Sequence, residues 1–69
     1  MESTAIILKN YAKGIYTFEE TYKRLKDRIL YRYYHGTFSE PTADYCLTQI
    51  QLFKEGKIDH NELNARILA

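Results

Sequence analysis

Apolar residues recur at intervals of three and four along four stretches of this chain, the spacing that lines one side of an α-helix. No stretch alternates apolar and polar residues as a half-buried strand does, and no Asn-Gly or Asp-Gly hairpin signal occurs. The pattern predicts helices over Thr4 to Lys13, Phe18 to His35, Glu40 to Glu55 and His60 to Leu68.

The three connections between these helices share a four-residue pattern of Gly, any residue, a large apolar residue, and then Thr, Ser or Asp. Glycine readily adopts the left-handed conformation that ends a helix. Thr, Ser and Asp accept hydrogen bonds from the free N–H groups of the next helix. We therefore predict an all-α fold, a compact bundle of four short helices in a single domain over residues 1–69. The joints are Gly14-Ile15-Tyr16-Thr17, Gly36-Thr37-Phe38-Ser39 and Gly56-Lys57-Ile58-Asp59.

Glutamates lie three residues after two of the expected N-caps, with Glu20 following Thr17 and Glu62 following Asp59. This spacing is typical of a capping box, in which the two side chains bond each other's backbone N–H groups. Each helix also has a stripe of apolar positions for the core. The expected stripes are Ala5, Leu8 and Ala12 with Ile7 and Tyr11 beside them; Phe18, Tyr22, Leu25, Ile29 and Tyr33; Ala43, Cys46, Leu47, Ile50 and Phe53; and Leu63 and Ile67.

Two helices carry more apolar surface than one stripe requires. Such a helix is either buried on both sides or docks a partner. Tyrosine and arginine anchor many protein interfaces because they bury a large area and still satisfy their polar tips. The alternative is that the first and last helices cover these side chains. The predicted partner-binding residues are Arg28, Leu30, Tyr31, Arg32 and Tyr34 on the second helix and Tyr45 and Leu52 on the third.

Length and composition narrow the class of protein. A chain of 69 residues makes at most one domain, and its only cysteine, Cys46, favours a reducing compartment. The first residues do not read as a signal peptide, and the longest apolar run, Ala5 to Leu8, is far too short to span a membrane. We expect a soluble, cytoplasmic protein that does not contact a membrane.

Charge adds a second functional hypothesis. Residues 1–38 carry seven Lys/Arg against four Asp/Glu, whereas residues 39–69 carry three against five. Basic and aromatic residues alternate on the second helix, as on surfaces that bind single-stranded nucleic acid. However, Glu19, Glu20 and Asp27 share that helix, and its basic residues are spread around it. A nucleic-acid-binding regulator is therefore the alternative and not the first choice.

Catalytic and metal chemistry has few candidate residues. Cys46 lies on the apolar stripe of the third helix, where a thiol behaves as a small hydrophobe. His60-Asn61-Glu62 matches the H-x-E of zinc deaminases, but the P-C-x-x-C that completes such a site is missing. Phosphate-binding loops and nucleophile elbows do not occur. We therefore expect no enzyme activity, no cofactor and no metal.

Residues 52–63 resemble the short helical hairpins at the ends of many bacterial and phage proteins, a likeness that implies no function. The sequence as a whole favours a small non-enzymatic protein-interaction module. Its expected role is that of a bacterial or phage regulator or inhibitor that occludes a site on a larger protein, or that binds a second copy of itself as a homodimer.

Overall fold

The computed structural model describes residues 2–67 and confirms the all-α bundle. The first three helices each end one residue before the predicted end, because Lys13, His35 and Glu55 are their C-caps. Leu68, the predicted end of the fourth, lies outside the described residues. The helices are α1 (Thr4–Ala12), α2 (Phe18–Tyr34), α3 (Glu40–Lys54) and α4 (His60–Ile67).

All three joints have the same backbone conformation. Gly14, Gly36 and Gly56 have φ angles of 78°, 76° and 76°. At the first joint the Gly14 N–H donates to the Tyr11 carbonyl at 3.0 Å, and the Ile15 N–H donates to the Asn10 carbonyl at 2.9 Å. The other joints repeat both bonds, so α1, α2 and α3 each end in a Schellman motif that satisfies two free carbonyls.

The helices begin as the joint pattern predicts. The Thr17 hydroxyl accepts from the Glu20 N–H and the Glu20 carboxylate accepts from the Thr17 N–H, both at 3.1 Å, so this capping box is confirmed. At α4 the box is only half made. Asp59 accepts from the Glu62 N–H at 2.8 Å, but the Glu62 carboxylate turns to Arg66 Nε at 2.9 Å. An i,i+4 ion pair has replaced the reciprocal bond.

The helices form a closed ring. Each packs against its neighbours in the chain and α1 also packs against α4, whereas within the described residues no Cα atoms of the diagonal pairs lie within 8 Å of each other. At one end of the bundle, one ring from each helix joins a cluster. Tyr11 contacts Phe18, Phe53 and His60 with ring centroids 5.7–6.0 Å apart. Tyr11 and Phe53 lie near the ends of their helices, whereas Phe18 and His60 begin theirs. Consecutive helices are therefore antiparallel.

The core contains most of the predicted stripe residues, with corrections on α1 and at Phe18 of α2, which is exposed. Leu8 is buried as predicted, but Ala5 and Ala12 are exposed, and Thr4 and Ile7 are buried in their place. Ile7 and Leu8 offer far more apolar area than the two alanines, so turning this side inward gains more hydrophobic stabilisation. The buried apolar residues are Ile7, Leu8, Leu25, Ile29, Ala43, Cys46, Ile50, Phe53, Leu63 and Ile67.

Besides Thr4, whose hydroxyl has no hydrogen-bond partner among residues 2–67, two buried polar side chains were not predicted for the core. Thr21 is fully buried, and its hydroxyl donates to the Thr17 carbonyl at 2.8 Å. Gln49 is 7% exposed, and its carbonyl oxygen accepts from Arg66 Nη1 at 2.9 Å, which links α3 to α4. Both fit the rule that a buried polar group has a hydrogen-bond partner. Over the described part of the chain, no helix combines the length and apolar character needed to cross a membrane.

Replacing Gly56 with valine should destabilise the fold by about 1 kcal/mol or more, because a β-branched residue resists a positive φ. A Cβ at Gly56 would meet no atom within 4 Å, so backbone strain would be the only cause. Gly56→Asn is the matched control, since asparagine tolerates this conformation better. Chemical unfolding that ranks asparagine no better than valine would contradict this explanation.

Cys46 should react slowly with a thiol reagent in the native protein and rapidly in denaturant. Its side chain is buried (3% exposed), and burial raises the pKa of the thiol, so both access and thiolate formation are limited. The measurement is the labelling rate with and without denaturant. Rapid labelling of the native protein would show that the core side of α3 opens readily.

Candidate functional site

The outer face of α2, which we define as Leu30, Tyr31 and Tyr34, lies on the surface of the bundle. The exposed fraction is 46% for Tyr31 and 76% for Tyr34, and Leu30 is half-buried. Residues three and four apart are neighbours on a helix, so the three side chains form one surface. The three residues, which the sequence analysis predicts to bind a partner, therefore form one continuous patch on the surface.

Neighbouring rings hold the exposed tyrosines in place. The Tyr31 ring lies 4.0 Å from the His35 ring, centroid to centroid, at an interplanar angle of 33°. The Tyr34 ring lies 5.4 Å from that of Tyr33, which packs partly against the core. Both tyrosines thus have one side supported by the chain and another open to solvent, as is typical of an interface anchor.

The two arginines predicted for this surface lie in different places. Arg28 borders the outer face, one turn before Tyr31, but its Nη1 donates to the Glu2 carbonyl at 2.9 Å. Arg32 turns toward the second joint, where its guanidinium carbon lies 5.0 Å from the centre of the Phe38 ring. Because Phe38 packs against the core, Arg32 serves that joint and is not grouped with the outer face.

The second predicted surface is smaller. Tyr45 is 49% exposed, and Leu52 is half-buried. Seven residues separate them, so they share one side of α3 about 10 Å apart along its axis. The Leu52 carbonyl also accepts from the Lys57 N–H at 2.9 Å, which ties this residue to the last joint. Tyr45 is therefore the more accessible of the pair.

Three exposed apolar residues were missing from the predicted surfaces: Ile6 (49% exposed), Ile15 (61%) and Phe18 (39%). The exposure of Ile15 could have been predicted, because Ile15 occupies the position of the joint pattern at which any residue occurs. Phe18 was assigned to the core, and the structure shows it at the core's edge. Its ring packs 4.9 Å from that of Phe53 while more than a third of it faces solvent.

A polar cluster around Glu2 was also missed. The Glu2 carboxylate accepts from Asn10 Nδ2 at 3.2 Å, from Arg24 Nη1 at 3.3 Å and from the Tyr16 hydroxyl. The Arg24 guanidinium also stacks over the Tyr16 ring at 4.2 Å. Local sequence patterns could not reveal this cluster, because its members come from the segment before α1, from α1, from the first joint and from α2.

This cluster shifts the acidity of its members. The hydrogen bond to Glu2 raises the pKa of Tyr16 above its ordinary value, because ionising the phenol would place two negative charges together. Burial lowers the pKa of the Arg28 guanidinium, and the nearby charge of Arg32 acts in the same direction. A groove beside the cluster has a volume of about 290 Å³ and is lined by Glu2, Ile7, Arg24, Asp27, Arg28 and Tyr31.

Neither histidine belongs to a cluster of metal ligands. His35 lies against Tyr31, and the His60 ring meets Tyr11 edge-on at 5.8 Å. Within residues 2–67, no group of three or more His, Cys, Asp or Glu side chains is arranged to hold a metal ion. The features that stand out are exposed aromatic side chains and the polar cluster around Glu2.

Replacing Glu2 with glutamine should lower the pKa of Tyr16 toward its ordinary value of 10.0. In the parent protein the folded-state pKa is raised, so this contribution to stability is complete below the unfolded pKa near 10. It is lost as the pH rises through the folded value. NMR titration of ring-labelled tyrosine, with Tyr16→Phe to assign the signal, measures the shift. An unchanged Tyr16 titration in Glu2→Gln would contradict the hydrogen bond.

Comparison with protein-family models, with curated proteins and with solved structures finds no match to this chain. What it does has to be inferred from its own residues and their arrangement.

Proposed function

We propose that this chain is a small non-enzymatic protein-interaction module that binds its partner through the outer face of α2. The observation that carries the proposal is Tyr34, a large aromatic side chain with 76% of its surface exposed on a helix whose other side fills the core. Tyr31 extends the same surface. Tyrosine is a frequent binding hot spot because it combines a large apolar ring with a polar tip.

The bundle does not need these rings for its own stability. On α2 the core is supplied by Leu25 and Ile29, each 1% exposed, and by the fully buried Thr21. These three residues face away from Tyr34. A surface that is apolar, ordered and unused by the fold is a candidate for contact with another molecule.

The proposed mechanism is occlusion. Helix α2 has 17 residues, so it presents a rod about 25 Å long that capping and packing hold rigid. Laid across a site on a larger protein, such a rod excludes other ligands, which is how a small cytoplasmic regulator or inhibitor without a cofactor would act. The same surface on a second copy would give a homodimer instead.

Nucleic-acid binding remains the second choice, and the arginines support that order. Arg24 pairs with Glu2 at 3.3 Å, Arg28 donates to the Glu2 carbonyl, and Arg32 stacks on Phe38. The guanidinium groups thus lie against two different parts of the chain, Glu2 and Phe38, and do not form one continuous basic track for phosphates. Salt dependence separates the two functions, because phosphate neutralisation makes affinity fall steeply with salt and apolar burial does not.

Tyr34→Ala should weaken partner binding or self-association by about 2 kcal/mol, the usual loss for a truncated interface anchor, while changing the melting temperature little. Tyr31→Ala should behave similarly. Leu25→Ala should instead destabilise the fold by about 2–5 kcal/mol, because it opens a cavity in the core. Thermal melts score stability. Capture from a lysate of the source organism, quantified by mass spectrometry, and sedimentation velocity score binding.

Tyr45→Ala is the matched control, because Tyr45 is as exposed as Tyr31 but lies on α3. If Tyr45→Ala abolishes binding and Tyr34→Ala does not, the contact surface is on α3. If Tyr34→Ala unfolds the protein as readily as Leu25→Ala, the ring belongs to the fold and the proposal is wrong.

A further inference from the structure

Several donors converge on Glu2 in a way that resembles recognition of a bound carboxylate. One carboxylate oxygen accepts from the Asn10 amide and the Tyr16 hydroxyl, and the other accepts from the Arg24 guanidinium. Arg28 adds a bond to the main-chain carbonyl of the same residue. A guanidinium combined with neutral donors is an arrangement that binds carboxylates strongly. These donors thus form a carboxylate-binding site, and the side chain of Glu2 occupies it.

The side chain that fills the site lies outside the helices. Glu2 precedes Ser3, the N-cap of α1, so its carboxylate can leave without breaking a helix. The side chains of its ion pair are 46% exposed at Arg24 and 32% exposed at Glu2. A competing carboxylate would accept the same hydrogen bonds from Arg24, Asn10 and Tyr16 that Glu2 gives up, so the exchange conserves these contacts.

The adjoining groove has a cation with unused bonding capacity. Arg28 lines the groove, and its Nε atom is buried without a hydrogen-bond partner among residues 2–67. Within the same residues no carboxylate lies at ion-pair distance from Arg28. Arg28 therefore brings a second positive charge to the groove beside Arg24, and in this part of the chain only its Nη1 is engaged, by the Glu2 carbonyl.

We propose that the groove between α1 and α2 receives an acidic segment of a partner protein, with a carboxylate of that segment replacing Glu2 on Arg24, Asn10 and Tyr16. Arg28 supplies the second positive charge for a neighbouring carboxylate or carbonyl. Glu2 then competes with the partner's carboxylate for the same donors and occupies the site when no partner is bound. The inference rests on the proposed function, since Tyr31 lines this groove and also belongs to the outer face of α2.

Charge favours an acidic peptide over a nucleic acid here. The two arginines attract an anion, but Asp27 also lines the groove and repels a second negative charge placed close to it. An extended peptide can present one carboxylate to the arginines and turn the next one away from Asp27, because successive side chains point to opposite sides of the chain. A nucleic acid carries a phosphate on every nucleotide and cannot avoid that repulsion.

The test measures binding of fluorescein-labelled hexaglutamate by anisotropy at low salt. Glu2→Gln should tighten binding at least about threefold more than Glu19→Gln, a control that removes the same charge from another part of the surface. Arg24→Gln and Arg28→Gln should each weaken binding about tenfold, as expected for losing a charge-assisted hydrogen bond. Lys26→Gln, which removes the same charge from a different side of α2, should weaken it less than threefold.

The results distinguish the alternatives. Equal effects of Glu2→Gln and Glu19→Gln, or of Arg24→Gln and Lys26→Gln, would mean that only net charge matters and would overturn the proposal. Arg24 lies at the surface, so Arg24→Gln should remain folded. Its hexaglutamate binding therefore tests the proposal even if Arg28→Gln unfolds. Tighter, equally Arg24-dependent binding of a labelled oligothymidine would assign the groove to nucleic acid. Dimerisation of Glu2→Gln without peptide, seen by sedimentation velocity, would assign it to a second copy.

Failure here and failure of the proposed function remain separable. Tyr34 does not line the groove, so Tyr34→Ala should leave hexaglutamate binding unchanged. If Tyr34→Ala abolishes partner capture while the arginine variants bind hexaglutamate normally, the outer face is supported as the binding surface and the proposed carboxylate site is wrong. If the arginine variants lose hexaglutamate binding while Tyr34→Ala still captures the partner, the groove is the binding site and the outer face is not.

Discussion

The structure depends on how the backbone is satisfied at the ends of its helices. Every helix leaves N–H groups free at its start and carbonyls free at its end, and helices of 8 to 17 residues have a large share of such groups. Here a Schellman motif ends α1, α2 and α3, and a Ser, Thr or Asp side chain begins each helix. Because each joint is only a few residues long, satisfying these groups also fixes the antiparallel course of the chain.

Packing at one end of the bundle depends on those joints. Tyr11, Phe18, Phe53 and His60 come from four different helices and lie beside the first and third joints. Edge-on and tilted contacts at these distances stabilise aromatic pairs beyond their buried area. Lys54 adds a cation over the Tyr22 ring at 4.5 Å on the same side. The joints position the rings, and the rings in turn hold together the helices that the joints connect.

Features set by neighbouring residues could be predicted from the sequence, and features set by distant ones could not. The joints, the Thr17–Glu20 box and the stripe containing Leu25 and Ile29 follow from spacing within a few residues. The inward side of α1 was misjudged, since it depends on which of its apolar residues find partners on α2 and α4. The candidate surfaces divide similarly. The exposure of Tyr34 follows from its position on the helix, whereas Glu2 and Arg24 are 22 residues apart and meet only in the fold.

The ring arrangement has a consequence for how the chain folds. Three of the four helix pairings join helices that follow each other in the chain, so they form after closing only a short joint. The pairing of α1 with α4 joins residues about 50 positions apart, such as Tyr11 and His60, and it therefore carries the largest loss of chain entropy. Docking of α4 onto α1 is thus the step expected to limit the folding rate, and α4 controls when the ring closes.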